Sequence, residues 1–156
     1  MARFHITLAC ILLATACAAA PEHDQIGLSV EVIDDITEYL AKYPESEITP
    51  LRVVVSPIPP FRTRYVLGTR VKGDRVLAIR NDNVFYPTRR DIRLDLHYPQ
   101  YGTGGIVTLI DIAVEQSSDL GRAYIVAGGI GQRQIKFVVE ARDVYHLSTN
   151  TTIYGY

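Results

Sequence analysis

Beyond residue 17 the chain has no cysteine. That excludes a disulfide framework, a thiolate metal site and a cysteine nucleophile from everything downstream, so stability there must come from an ordinary core. Histidine is scarce as well. His5, His23, His97 and His146 are the only four, and no two stand at metal-ligand spacing. A phosphate loop is also missing. The glycine-rich "GGIG" at residues 128–131 is followed by an alternating run, with neither the helix nor the Lys-Ser/Thr pair that such a loop requires. Gly128, Gly129 and Gly131 read instead as a hairpin turn whose left-handed positions favour glycine.

The N-terminus reads as an export signal. Arg3 precedes an apolar run at residues 6–16, which is too short to span a bilayer. The small residues of "ACAAAP" follow. Ala16 with Ala18, or Cys17 with Ala19, would serve as the pair that signal peptidase reads, which predicts cleavage after Ala18 or Ala19. Cleavage after Ala20 would leave Pro21 next to the cut, rigid and without an N–H. Both cysteines, Cys10 and Cys17, leave with this leader, and no transmembrane anchor remains. The mature chain of about 137 residues suffices for one domain. The division expected is a leader at 1–19, an acidic segment at 20–60 and a β core at 61–156, with the boundary near the turn-rich "SPIPPF" at 56–61.

Charge is unevenly spread. Residues 21–50 hold eight acids and one base (net −7), whereas residues 51–156 hold fourteen bases and nine acids (net +5). Within the acidic segment Leu28, Val32, Ile33, Ile36, Tyr39, Leu40 and Tyr43 recur at helical spacing, with Ser29 as N-cap and Pro44 as stop. Glu31, Asp34 and Asp35 suit the N-terminal end of a helix. The competing reading is a short strand through Val30 and Val32. A helix of this kind is expected to dock its apolar stripe on the basic core; a flexible leader, or a pro-segment released near Arg62-Thr63-Arg64, is the alternative.

After Leu51 the pattern changes to period two. Ile92, Leu94, Leu96 and Tyr98 point one way, and Arg93, Asp95 and His97 the other. Ile106, Thr108, Ile110, Ile112 and Val114 share a face opposite Asp111 and Glu115. Ile135, Phe137 and Val139 lie opposite Gln134, Lys136 and Glu140. Turn signals stand at "KGD" (72–74), "RNDN" (80–83), "YGTGG" (101–105) and "SSDLG" (117–121). The fold class predicted is mostly β, a single antiparallel β-sandwich or barrel-like domain with an N-terminal acidic helix.

Chemistry is sparse. His97, on the polar side of its strand, reads as solvated, with no second histidine to make it a ligand. Asp34 and Asp35 read as the polar face of the helix. Asp111 interrupts a strongly apolar strand and is expected to pair with an arginine across the sheet, Arg70 or Arg122. A hydrolase would have to rest on one such Asp or His. Nine Lys and Arg fall within residues 62–93 against Asp74, Asp82 and Asp91, and a basic surface attracts polyanions. No recognition helix, zinc ligand set or aromatic stacking strand accompanies them, so there is no direct nucleic-acid motif.

Several stretches carry a resemblance. "YVLGTRVKGDRVL" (65–77), "LHYP" (96–99), "VTLIDIAVEQ" (107–116), "GRAYIVAGGIG" (121–131), "IKFVVEAR" (135–142) and the closing "IYG" (153–155) resemble the multiprotein bridging factor 2 family of insects. The most specific pieces are Gly-x-Arg with Gly-Asp at 68–74 and Ala-x-Ile-Val-x-Gly-Gly-x-Gly at 123–131. Lys72 stands where the family has proline, and "EARDVYHLSTN" replaces its more typical glycine-rich turn. The resemblance implies one of two roles. One is a secreted, non-enzymatic binding protein of salivary, venom or body-fluid type, with no cofactor and with an unknown protein or polyanionic partner. The other is a transcriptional co-activator bridging a DNA-bound nuclear receptor to general transcription factors. The leader favours the first. Asn150-Thr151-Thr152 is the one N-glycosylation sequon of the mature chain, and alternation places Asn150 opposite Leu147, Thr149, Thr151 and Ile153.

Overall fold

The computed structural model describes residues 24–31, 41–42, 49–56, 58 and 60–156. The fold is mostly β and antiparallel. Among the described residues the strands are β1 (Gly27–Glu31), β2 (Thr49–Pro50), β3 (Arg52–Ser56), β4 (Phe61–Gly68), β5 (Arg75–Tyr98), β6 (Val107–Gln116), β7 (Gly121–Gly128) and β8 (Ile135–Gly155). One path runs β1-β5-β8-β6-β4-β3, and β7 and β2 branch from β8. The two ends of this path are not joined, so the sheet is not closed into a barrel.

β5 and β8 are long enough to serve two half-sheets. The end of β5 and the start of β8 form a lower half, ordered β1-β5-β8-β7-β2. The start of β5 and the end of β8 form an upper half, ordered β5-β8-β6-β4-β3. Between the halves the ladder slips at Phe85, Arg90 and Ile92. Extra residues of this kind bend a strand. The bend is stapled by Arg89 on Asp143 at 2.6 Å and by the Asp91 carboxylate, which accepts the Asp143 N–H at 2.8 Å. Leu94, Leu96, Ile125 and Phe137 of the lower half share one buried cluster with Tyr65, Leu77, Ile110, Ile112 and Ile153 of the upper half. The halves therefore face each other, and their inner faces make the core. At the open end they meet again, where Gly131 N–H donates to Val107 C=O at 2.7 Å and Val107 N–H to Gln132 C=O at 2.8 Å.

Period two locates most of this core. Ile92, Leu94, Leu96 and Tyr98 are buried, as are Ile135, Phe137 and Val139. Leu147, Thr149, Thr151 and Ile153 are buried, with Asn150 exposed opposite them. In β6 a register shift between Val107 and Leu109 moves Val107 into the core, while Ile106 lies before the strand.

Three expectations are corrected. Residues 28–31 are not the start of a helix: Leu28 to Glu31 pair with Leu96 to Arg93 as the edge of the lower half. Ser29 is thus a strand residue and not an N-cap. An open edge of β5 satisfies the backbone of these residues better than a first helical turn with its orphan N–H groups. Ala41 and Lys42 have helical backbone, and the rest of the expected helix lies outside the described residues. The "RNDN" turn is the second. Arg80, Asn81, Asp82 and Asn83 are mid-strand and pair with Thr151, Asn150, Thr149 and Ser148. Their turn propensity is overridden because Arg80 and Asp82 pair with each other at 2.9 Å on one face while Asn81 and Asn83 meet solvent on the other. Third, Arg93 and Glu140 are 2 % and 4 % exposed, despite lying on the polar side of the alternation. β1, β2 and β3 precede the boundary drawn at residues 56–61, and they hydrogen-bond into the same sheet.

Candidate binding surface

The outer face of the upper half is an open surface whose side chains are held in place. Register sets its rows. Asn81, Asn150, Ala113 and Arg64 lie side by side, and next to them run Asn83, Ser148, Glu115, Arg62 and Ser56. Small side chains in the middle leave a groove of about 480 Å³ lined by Ser56, Arg62, Arg64, Ala113, Ser148 and Asn150. Its walls are ordered by cross-strand pairs. Arg64 grips Asp111 with two nitrogens, Nε at 2.7 Å, and Arg62 Nε donates to Glu115 at 2.8 Å. The Asn150 amide donates to Asn81 Oδ1. At the bend the exposed Phe85 ring stacks on His146, with centroids 4.5 Å apart, and a His146 nitrogen lies 3.2 Å from Asn83 Oδ1.

Asp111 therefore does find an arginine, but neither of the two expected. Arg64, opposite Ala113, reaches Asp111 diagonally on the same face of the β4–β6 pair, whereas Arg70 holds Asp74 and Arg122 holds Glu140. The Asp111 hydrogen bond and charge raise the Arg64 guanidinium above its ordinary value, so it stays a cation. The choice was closed to sequence reading because strand pairing, not spacing along the chain, decides it. Pairing also changes the basic stretch at 62–93. Arg62, Arg64, Arg70, Arg80, Arg89 and Arg93 each hold a carboxylate. The pairs exposed on both sides, Arg62–Glu115 and Arg89–Asp143, add little stability, but together the pairs turn a cationic surface into one of mixed sign.

The other singled-out residues serve the scaffold. Gly128, Gly129 and Gly131 have φ of 72°, 156° and 81° and form the β7–β8 turn. His97 is half-buried, and its ring occupies the space where a Cβ on Gly27 would stand, 2.1 Å away. A buried polar cluster went unseen in the sequence: Tyr124 Oη donates to Glu140 Oε1 at 2.8 Å, and Arg122 Nε donates to Oε2. Burial, then the Glu140 hydrogen bond, holds the Tyr124 phenol well above its ordinary pKa, so it remains a donor. Ala18, Ala19, Cys10 and Cys17 lie outside the described residues. No group of three or more His, Cys, Asp or Glu among the described residues is placed to hold a metal ion, and no helix among them is long and apolar enough to cross a membrane.

The fold and this surface define a class, an open antiparallel sheet folded on itself that presents on one face a groove with charged and polar side chains among its lining. A family model described as transcription activator MBF2 matches residues 67–155, more than half of the chain, and the chain belongs to that family. No curated protein and no solved structure matches it. The matched stretch contains the motif at 68–74, and its parts have visible roles. Gly68 (φ 85°) lets β4 end against the Thr108 carbonyl, and Gly73 (φ 93°) makes the turn. Arg70 holds Asp74 at 2.7 Å and lies over the Tyr154 ring at 4.1 Å. The Asp74 carboxylate also accepts from Val71 N–H at 3.0 Å and from the Thr108 hydroxyl at 2.8 Å.

Asp74 gives a pH-dependent expectation. Burial alone would raise its carboxyl, but the bonds from Val71, Thr108 and Arg70 outweigh burial and hold it below the ordinary 3.8. A depressed folded-state pKa stabilises fully above the unfolded value and is lost as pH falls through the folded value. Asp74→Asn should therefore lower the thermal midpoint at neutral pH, and its gap to wild type should narrow only as pH drops below 3.8. A gap that stayed constant into acid would show that the carboxylate charge plays no part.

Proposed function

We propose that this member of the MBF2 family is an exported, non-catalytic binding protein that engages a protein partner through the groove face of its upper half. The observation that carries this reading is the groove itself, whose polar side chains are fixed by cross-strand pairs instead of converging on a reacting centre. Pre-ordered polar groups recognise a partner at low entropic cost. Mixed sign on that face favours a protein surface over a polyanion. A polyanion would turn instead to Lys72, Arg75 and Arg90, for which no ion pair is formed among the described residues. Export rests on the leader, with its short apolar run and small-residue exit.

The second reading is a nuclear co-activator bridging a DNA-bound receptor to general transcription factors, and the family description favours it. Both readings are binding roles; they differ in compartment and in the fate of residues 1–19. Asn150 separates them. It is exposed and lines the groove, and its sequon is modified only on the export route, so the partner of an exported chain would meet the groove together with the glycan. A C-terminally tagged chain should appear in the medium with Ala19 or Ala20 as its first residue. Glycosidase treatment should lower its mass, and Asn150→Gln should abolish that change. Full-length chain retaining Cys10 and Cys17 in nuclei, at unmodified mass, would decide for the co-activator.

A further inference from the structure

The open end of the folded sheet gathers three turns: the β4–β5 turn at 69–74, the β5–β6 loop at 99–106 and the β7–β8 turn at 129–134. Their roots are locked together. Thr69 N–H donates to Thr108 C=O at 3.1 Å, Gly105 N–H to Tyr98 Oη at 2.9 Å, and Arg133 Nη1 to Gly104 C=O at 3.1 Å. Packing there is tight. A Cβ on Gly104, Gly128 or Gly155 would fall 2.7, 2.2 or 1.9 Å from its nearest neighbour. The crests differ. A Cβ on Gly73, Gly102, Gly129 or Gly131 would meet nothing within 4 Å. The turns are therefore held at the base and stand clear of the fold at their tips.

Each tip carries an apolar side chain into water: Val71 is 43 % exposed, Tyr101 79 % and Ile130 41 %. Lys72, Arg75 and Arg133 are exposed beside them. Among the described residues none of these three cations forms an ion pair. The acids of this end among the described residues, Asp24 and Asp74, are both engaged. Asp24 accepts the Tyr98 hydroxyl at 2.6 Å, and Asp74 is held by Arg70 and Thr108. The bend end exposes Phe85, Leu120 and Tyr145 as well, but Asp91, Asp119 and Asp143 stand among its arginines. Unpaired positive charge and projecting apolar side chains thus coincide at the open end. The whole chain has a formal net charge of −1, so this local excess orients an encounter instead of driving general adsorption.

The combination specifies the partner. A sulfated polysaccharide would neutralise the cations but offers nothing to Val71 and Ile130. A folded protein would have to match three separate crests. A bilayer with anionic headgroups meets all of them at once. Its oxyanions take the cations, and its interfacial layer accepts tyrosine and short apolar side chains. We propose that the open end docks on an anionic lipid surface, with Val71, Tyr101 and Ile130 dipped into the headgroup layer and Lys72, Arg75 and Arg133 on lipid oxyanions. The locked roots keep the ordering cost of docking low. Three side chains insert far less apolar surface than a spanning element, so the attachment is peripheral and reversible. This surface is distinct from the groove and does not rest on the groove reading.

The test uses the full chain with Cys10→Ser and Cys17→Ser, carrying a polarity-sensitive dye either on Thr103→Cys, at the crest of the β5–β6 loop, or on Asp119→Cys. Residue 119 lies in the β6–β7 connection, which is bonded to the bend end through Ser117 and Leu120. The probes are vesicles of phosphatidylcholine alone and of equimolar phosphatidylcholine and phosphatidylserine. The dye at 103 should shift to the blue on the anionic vesicles and not on the neutral ones, and the dye at 119 should shift on neither. Replacing Lys72, Arg75 and Arg133 together by alanine should weaken binding about a hundredfold, at roughly fivefold per cation. Val71→Ser with Tyr101→Ser should weaken vesicle binding too, while leaving retention on a sulfated-polysaccharide column unchanged. All five positions are exposed, so unfolding midpoints should stay near that of the wild type. A dye at 103 that stays unshifted on anionic vesicles overturns the proposal. So does an equal shift at 119, which marks adsorption without orientation. A shift that survives loss of the three cations, as anchoring by the apolar run at 6–16 would give, also overturns it. If Val71→Ser with Tyr101→Ser has no effect on vesicle binding, the end is a site for a polyanionic chain and not for a bilayer.

Discussion

Phe137→Ala should lower the unfolding free energy by about 3–5 kcal/mol, the usual cost of emptying a buried phenylalanine site. Phe137 is fully buried, and it lies in β8, flanked by Leu96 on one side and Ile125 on the other. β8 bonds to three other strands, so its inner row has neighbours on both sides as well as the facing half-sheet. Such a site cannot collapse without moving several strands, which places the cost toward the upper end of the range. Lys136 precedes it on the outer face and is exposed. Lys136→Ala should change stability by less than about 0.5 kcal/mol. Urea titrations of both variants, with equal slopes, are the measurement. Similar midpoints for the two would mean that the faces of β8 are assigned the wrong way round.

That prediction needed only the sequence, and the reason is physical. Where one face of a strand is buried and the other is wetter, period two is written directly into the residues, as at 94–98, 135–137 and 147–153. Period two fails where both faces are covered. Arg93 and Glu140 look like solvent-facing charges, yet they are buried on the outer face of the lower half, each with an ion-pair partner. The helical spacing that began at Leu28 failed in another way. Leu28 and Val30 fit a strand equally well, and a free edge on β5 decided between them. The clue was Gly27, which is buried and leaves room for the His97 ring. Local residues did not reveal that ring, because it comes from a strand far along the chain.

The binding surface was less legible than the core. Asn150 could be placed on the open face from alternation alone. Its neighbours could not, because Asn81, Ala113 and Arg64 come from three other strands. The partner of Asp111 shows the limit clearly. Sequence supplied an acid in an apolar strand and a set of arginines, but only the register of β4 on β6 selects Arg64.

Gly68→Ala should destabilise the protein by about 3 kcal/mol or more, and Gly73→Ala by only about 1–2 kcal/mol. Both glycines belong to the motif at 68–74, and both have positive φ, so an alanine at either pays for a left-handed backbone. They differ in surroundings. A Cβ on Gly73 would have nothing within 4 Å, whereas one on Gly68 would fall 2.2 Å from the Thr108 carbonyl oxygen. That carbonyl cannot simply move aside. It accepts the Thr69 N–H at 3.1 Å, and the Thr108 hydroxyl is tied to Asp74. Relief would have to open the β4–β6 pairing, whose last partners are Gly68 and Leu109. Comparing the two midpoints tests what the motif is for. A large loss at Gly68 and a small one at Gly73 marks it as a device for joining β4, β5 and β6. Equal, small losses would leave the motif without that structural task, and a direct part in binding would then be the better account of it.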